Sequence, residues 1–383
     1  MADKVYSRVL GCMVGNALGD SWGAVVEGAT AERVATRTGG RDWFDEFLPF
    51  PDDFRSHPLG VWDPAPPRGT GTDDTRYNQI LVECVIRNGG LINSQFLAIE
   101  YIERYRDRAR FYPGHEAMAE QQYRWLYEAG CAHLGMKELP SGLAPYAVAG
   151  QGIGIPSLHT IISLGLAGLL YKGEPEKAYA KAVELAFVEI GYGRTLTGMM
   201  AAMISAAIGG GISGREMVRI GLETDPFTAG EKGQFPNPLW FFNYGRRISV
   251  ERMRKLIEAA DKAKSDRELV EAASREIAGL HIWDPIDVLG VPMAAVYYSD
   301  GDPIRSIVMA INDREFDAEG KFKRLRDVDC TGGIAGALVG ALHGVEAFPK
   351  DWVAEVIAAN RKVNHVDLEA NARQLCETLY PGG

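Results

Sequence analysis

Apolar residues recur at helical spacing along most of this chain. Val9, Leu10, Met13, Val14 and Ala17 set one apolar stripe over 6–18, and the Gly19-Asp20 pair is read as its end. Helices are predicted next at 73–88, 94–108 and 115–129, then at 157–171, 174–190 and 193–209, with Pro175 suiting a first helical turn. The remainder predicts helices at 249–263, 266–278, 290–298, 303–313, 331–344, 350–361 and 366–379. No stretch alternates apolar and polar positions as a half-buried strand would, and no repeat is found. The pattern is that of an all-α chain, one compact domain over 1–383 with roughly fifteen helices around a single core.

Three segments lack a period. Residues 40–71 are rich in Pro, Gly and aromatics, among them Trp43, Phe44, Phe47, Phe50 and Trp62. Such a loop is either a lid or substrate wall, or a strap packed over the core. Residues 135–155 lead to Gly150-Gln151-Gly152-Ile153-Gly154. No strand precedes these glycines and no Lys follows, so neither the dinucleotide fingerprint nor the P-loop is met, and a Gly-rich ligand loop is the remaining reading. Residues 222–248 form a polar and aromatic loop with Trp240, Phe241, Phe242 and Tyr244.

Composition narrows the function. Apolar residues make up 46% of 383, ample for a large core. With Lys+Arg 41 against Asp+Glu 51, the net charge of −10 argues against nucleic acid as a partner, because phosphate binding needs clustered Lys and Arg. Cys12, Cys84, Cys131, Cys330 and Cys376 show neither zinc nor disulfide spacing, which suits a reducing, cytoplasmic setting. Met-Ala-Asp-Lys-Val-Tyr does not read as a secretory signal. The most apolar window, 161–171, is too short to span a bilayer, so no membrane association is expected. Nothing in the sequence speaks to oligomeric state.

Candidate chemistry lies at two helix mouths. Arg326-Asp327-Val328-Asp329-Cys330-Thr331 sets two carboxylates two apart before a Gly- and Ala-rich run whose Ile334, Leu338 and Leu342 keep helical spacing. The acids are expected on a loop and the small residues in the helix, where backbone can approach backbone closely. Gly69-Thr70-Gly71-Thr72-Asp73-Asp74-Thr75 is a second Gly-punctuated loop entering a helix. A helix needs one capping Asp, not two. Four carboxylates with flanking hydroxyls suit hard divalent cations, Mg²⁺ above all; two unrelated capped helices are the competing reading. Glu27, after Val25-Val26, is either a surface charge or a buried carboxyl with a raised pKa, as acid–base chemistry needs. His159, His343 and the Met199, Met200, Met203 stripe read as core rather than as ligands or a cofactor box.

Taken in order, Gly19-Asp20-Ser21-Trp22-Gly23-Ala24-Val25-Val26-Glu27, Thr72-Asp73-Asp74-Thr75 and Asp327-Val328-Asp329-Cys330 resemble the signature segments of the ADP-ribosylglycohydrolase family, over nearly the whole chain. The resemblance implies a compact helical fold with two Mg²⁺ ions in a cleft, Mn²⁺ being the alternative ion. It implies metal ligands at Thr72, Asp73, Asp74, Asp327 and Asp329, with Asp74 and Asp329 also catalytic, and Glu27 as an acid/base or lid carboxylate that meets substrate. The implied reaction is hydrolysis of an N- or O-glycosidic bond at the anomeric carbon of a ribose, first of all in an ADP-ribosyl conjugate, with a small-molecule or ADP-ribosylated substrate as the partner.

The chain also departs from that pattern. Where the best-known members place a hydroxyl after the second Asp, this chain has Cys330, with Thr331 one step on as a substitute, which marks a divergent Asp-x-Asp-Cys branch. The middle glycine loop, taken as substrate-binding at Gln151, Gly152, Ile153 and Gly154, lacks the usual Asn and Met-Arg, and a later Thr-His is replaced by Glu189-Ile190. The metal–ribose half is kept and the ADP half altered, with a negative Glu189 set against a pyrophosphate. Three alternatives follow: a hydrolase of a smaller N-riboside or other ribosyl compound, a non-catalytic crystallin-like relative, and a metal-dependent phosphate-ester hydrolase. For the last, only Arg68, Arg76 and Arg326 stand by the motifs.

Overall fold

The first helix does not stop at Gly19-Asp20. In a computed structural model that describes residues 2–52, 54, 61–136, 156–224 and 244–381, it runs Ala2–Ala24. Its partner explains why. Gly11, Gly15, Gly19 and Gly23 line one face, and that face lies antiparallel against the helix Val328–His343. A Cβ on each would fall under 3.0 Å from a backbone carbonyl oxygen, those of Gly340, Gly336, Gly332 and Val328 in turn. Gly332, Gly336 and Gly340 are equally hemmed in by Gly19, Gly15 and Gly11. A glycine inside a helix ordinarily costs about 1 kcal/mol against alanine. Here the missing side chains let two backbones touch along their length, and the dispersion contacts outweigh that cost.

This pair is the centre of the molecule. Met13, Val14 and Leu18 on one helix, and Ala335, Leu338 and Val339 on the other, are buried in one contiguous core. The helices Asp73–Arg87, Tyr192–Gly209, Pro285–Ser299, Pro303–Ala310 and Leu368–Leu379 pack around it. The fold is all-α, with 17 α-helices among the described residues. Met199, Met200 and Met203 fill core space. All five cysteines are free thiols. Among the described residues, no helix is long and apolar enough to cross a membrane.

Three differences from the sequence reading have physical causes. The helix predicted at 290–298 begins at Pro285, because Asp284 accepts the Ile286 amide at 2.9 Å and Pro285 takes the first turn. Residues 157–171 split into the helix His159–Leu164 and a 3₁₀ turn Gly165–Leu170. A small antiparallel hairpin pairs Arg314–Phe316 with Phe322–Leu325. Its strands are too short and charged to alternate visibly, but its turn is legible afterwards: Asp317 Oδ1 accepts from the Glu319 and Lys321 amides, and Gly320 takes φ of 78°.

The described part of 40–71 is a strap over the core. Phe44, Phe47, Phe50 and Trp62 are buried. Asn312 holds it like a strand partner, donating to the Phe44 carbonyl at 2.6 Å and accepting the Phe44 amide at 2.9 Å. Trp22 donates its indole N–H to the Glu46 carbonyl at 2.9 Å and packs between Phe47 and Trp352.

Candidate active site

Thr72, not an aspartate, caps the helix Asp73–Arg87: its Oγ1 accepts the Asp74 amide at 3.3 Å. Asp73 and Asp74 occupy the first turn and are buried. The loop before them is held from two sides. Asn360 donates to the Gly69 carbonyl at 2.9 Å and accepts the Gly71 amide at 3.1 Å, and Asn364 donates to the Gly71 carbonyl at 2.9 Å. On the other side, Asp20 Oδ2 accepts from the Thr72 amide at 2.8 Å, the Thr75 amide at 3.1 Å and the Thr75 hydroxyl at 2.6 Å. Gly71 permits that approach, since a Cβ there would stand 2.9 Å from Asp20 Oδ2.

The second mouth differs from its sequence reading. The helix begins at Val328, so Asp329 lies inside its first turn rather than on a preceding loop. Asp327 stands at the N-cap but makes no side-chain capping bond. Asp329 Oδ1 accepts the adjacent Cys330 amide at 2.8 Å. The two-capped-helices reading fails at both ends, because none of the four aspartates caps its own helix as an N-cap side chain does.

The glycine-lined pairing brings both mouths and Glu27 to one place. Donor atoms of Asp74, Asp329 and Cys330 lie within 4.8 Å of one another, and so do those of Glu27, Asp327 and Asp329. Asp329 belongs to both groups. Asp20, Asp73, Asp74, Asp327 and Asp329 are buried, while Glu27 is exposed at the rim. Asp327 Oδ2 and Asp20 Oδ1 are buried with no hydrogen-bond partner.

So much negative charge in one enclosure is unfavourable without a cation or protons. Burial, aided by the charge of Asp329, pushes the Asp20 carboxyl up to about 7. Burial likewise raises Asp73, Asp74 and Asp327, with Asp329 again contributing. Glu27 is raised first by Asp329 and then by its enclosure; because solvent reaches this side chain, the like charge is the cause that carries weight. Burial also pushes the Cys330 thiol up. Arg76 offsets part of this charge at Asp73, and the nearby guanidiniums also bond the surrounding protein. Arg68 pairs with Glu355, and Arg76 bonds Asn364 and Gln122 and lies over the Trp62 ring. Arg326 bonds Asp287 and the Leu280 and His281 carbonyls. The three basic residues on which a phosphate-ester reading leaned are thus committed to the protein.

Other expected site residues fare differently. The Thr331 hydroxyl donates to the Ala310 carbonyl at 2.9 Å and is fully buried, so Cys330, not Thr331, has its donor atom among the carboxylates. Gln151, Gly152, Ile153 and Gly154 lie outside the described residues, as do 225–243 of the second aromatic loop. Glu189 is not an open ligand-facing charge. It accepts the Ser157 amide at 3.1 Å, the Ser157 hydroxyl at 2.7 Å and the Ile190 amide at 2.9 Å. His159 bonds Ser157 through Nδ1 and packs on Trp125, and His343 bonds the Gly301 carbonyl, in keeping with structural histidines. Sequence reasoning missed Asp20 as a site residue, and Asn360 and Asn364 as its supports.

Comparison with known proteins bears on the family and the fold. The family described as ADP-ribosylglycohydrolase matches residues 1–381. A solved structure described as an "ADP-ribosylglycohydrolase-related protein complex" is 19% identical, with a TM-score of 0.56 over 98% of this chain and 99% of that one, a likeness that speaks for the fold. No curated protein matches the chain in sequence.

Proposed function

Because this chain belongs to the ADP-ribosylglycohydrolase family, we propose that its carboxylate enclosure is the active site of a metal-dependent glycosidase. The reaction is hydrolysis of an N- or O-glycosidic bond at the anomeric carbon of a ribose. The observation that carries this reading is the gathering of Glu27, Asp74, Asp327 and Asp329 in two donor groups that share Asp329.

The residues fit a divalent cation. Their donors are mostly carboxylate oxygens, and the Asp327 Oδ2 atom is buried and unpartnered. Thr72, Asp73, Asp74, Asp327, Asp329 and Cys330 are the candidates to hold Mg²⁺ or Mn²⁺, which when bound would polarise ribose hydroxyls and water as a Lewis acid. Glu27 is the one carboxylate of the set that solvent reaches. The like charge of Asp329 raises its carboxyl, and at the rim it is placed to protonate the leaving group or take a proton from water. Asp20 fixes the Thr72–Thr75 turn and does not meet substrate.

Within this class the substrate is an ADP-ribosyl conjugate or a smaller ribosyl compound. Glu189, bonded inward to Ser157 and Ile190, does not choose between them. The deciding experiment is a hydrolysis panel of ADP-ribosyl-arginine, ADP-ribosyl-serine, O-acetyl-ADP-ribose and simple N-ribosides, with Mg²⁺ and with chelator. Mg²⁺-dependent release of free ribose from N-ribosides supports the small substrate, and release of ADP-ribose supports the larger one. Silence across the panel with metal bound removes the enzyme reading in favour of a binding protein.

A further inference from the structure

The enclosure is not symmetric. One donor group, Glu27, Asp327 and Asp329, is entirely oxygen; the other, Asp74, Asp329 and Cys330, includes sulfur. Cys12 and Cys131 are thiols fully buried among core residues, as a small hydrophobe would be. Cys330 is also buried but stands against carboxylates, its sulfur within 4.8 Å of donor atoms of Asp74 and Asp329. The nearby hydroxyl cannot take over the task without giving up its buried bond to the Ala310 carbonyl. Independently, Asp327 Oδ2 is buried without a partner, which points to a ligand absent from the chain itself.

We propose that Cys330 divides the centre into two unlike cation sites joined by Asp329: a hard, all-oxygen site at Asp327, with Glu27 at its rim, that takes Mg²⁺, and a mixed sulfur–oxygen site at Asp74 and Cys330 that takes a borderline divalent cation of the Zn²⁺ or Co²⁺ kind. This rests on the reading of the enclosure as a metal centre. The chemistry follows ligand softness: thiolate favours such ions over Mg²⁺, whereas carboxylate and water suit Mg²⁺. Binding breaks the S–H bond and forms a metal–sulfur bond. The proton passes to solvent, and the thiolate keeps the electron pair that it shares with the cation, with no change in oxidation state.

The test uses the full chain stripped with chelator, then saturated with Mg²⁺ and titrated with Co²⁺. Calorimetry counts ions, and ultraviolet absorption reads sulfur-to-cobalt charge transfer. The expected result is one Co²⁺ bound beside Mg²⁺ with a charge-transfer band. Cys330→Ser should lose the band and weaken Co²⁺ at least about tenfold with Mg²⁺ little changed, and Cys376→Ser should keep the band. Cobalt binding without the band overturns the proposal and leaves an all-oxygen centre standing; a band that survives Cys330→Ser overturns it too, by assigning the sulfur ligand to another cysteine. If no divalent ion binds the wild type, the metal reading itself falls. Cys330→Thr serves as the second variant if Cys330→Ser does not fold, and the wild-type spectrum decides by itself if neither does.

Discussion

Gly19 and Gly332 meet backbone to backbone: a methyl on either would be driven into the carbonyl of the other. The same relation holds between Gly15 and Gly336, away from the carboxylates. Gly15→Ala or Gly336→Ala should therefore destabilise the protein by about 1–3 kcal/mol, or prevent folding, despite the better helix propensity of alanine. Urea unfolding monitored by circular dichroism checks this. A variant as stable as the wild type would mean that the helices part without cost.

Asp329 is the charge that other carboxylates of the enclosure feel. Asp329→Asn removes a shared donor and one buried negative charge. Activity and divalent-ion binding should fall together, while the metal-free variant melts at or above the wild-type temperature because repulsion is relieved. Thermal melts with and without Mg²⁺ read both effects. A metal-free variant that unfolds, or one that still gains stability from Mg²⁺ as the wild type does, would assign the residue a structural role.

Glu27 is expected to act on protons more than on metal. Glu27→Gln should keep cation binding within a few-fold and lower kcat by about 10²–10⁴. Unchanged turnover on whichever substrate the panel identifies would make Glu27 a rim charge only.

Glu189 links stability to pH. Burial raises its carboxyl from 4.5 to about 7. Between these values the folded protein holds a proton that the unfolded chain releases. Its contribution is therefore fully present below about pH 4.5 and is lost as pH rises through about 7. Glu189→Gln should flatten that fall, by on the order of 3 kcal/mol at most. Unfolding free energies at pH 5 and pH 8 for both proteins check it; parallel pH dependences would refute the assignment.

Much of the fold could be read from apolar spacing, because amphipathic helices on one core announce themselves residue by residue. The length of the first helix could not. Gly19 alone looks like a stop, since glycine's local preference is against helix, and only the opposing Gly332 overrides that preference. A signal was present in the four-residue spacing of Gly11, Gly15, Gly19 and Gly23, matched by Gly332, Gly336 and Gly340. The same spacing pointed to Asp20 as a neighbour of the Asp329 turn. The carboxylates at the two mouths were legible as residue types at helix starts. Which of them cap was not, because Thr72 and Asp327 differ in side-chain geometry rather than in pattern. The hairpin at 314–325 escaped because strands of three and four residues, two of them charged in each, carry no measurable period.

The embrace of residues 11–23 by 328–340 also sets the order of events during synthesis. At about 5–20 residues per second, the first helix leaves the ribosome on the order of tens of seconds before its partner. Through that interval its glycine face has nothing to lie against, and contacts so distant in sequence form slowly. Glu27, Asp73 and Asp74 are made early and Asp327 and Asp329 late, so a nascent chain carries only half of the proposed cation site. The helix pair and the carboxylate enclosure are therefore completed together, after translation has passed the last glycines of the pair.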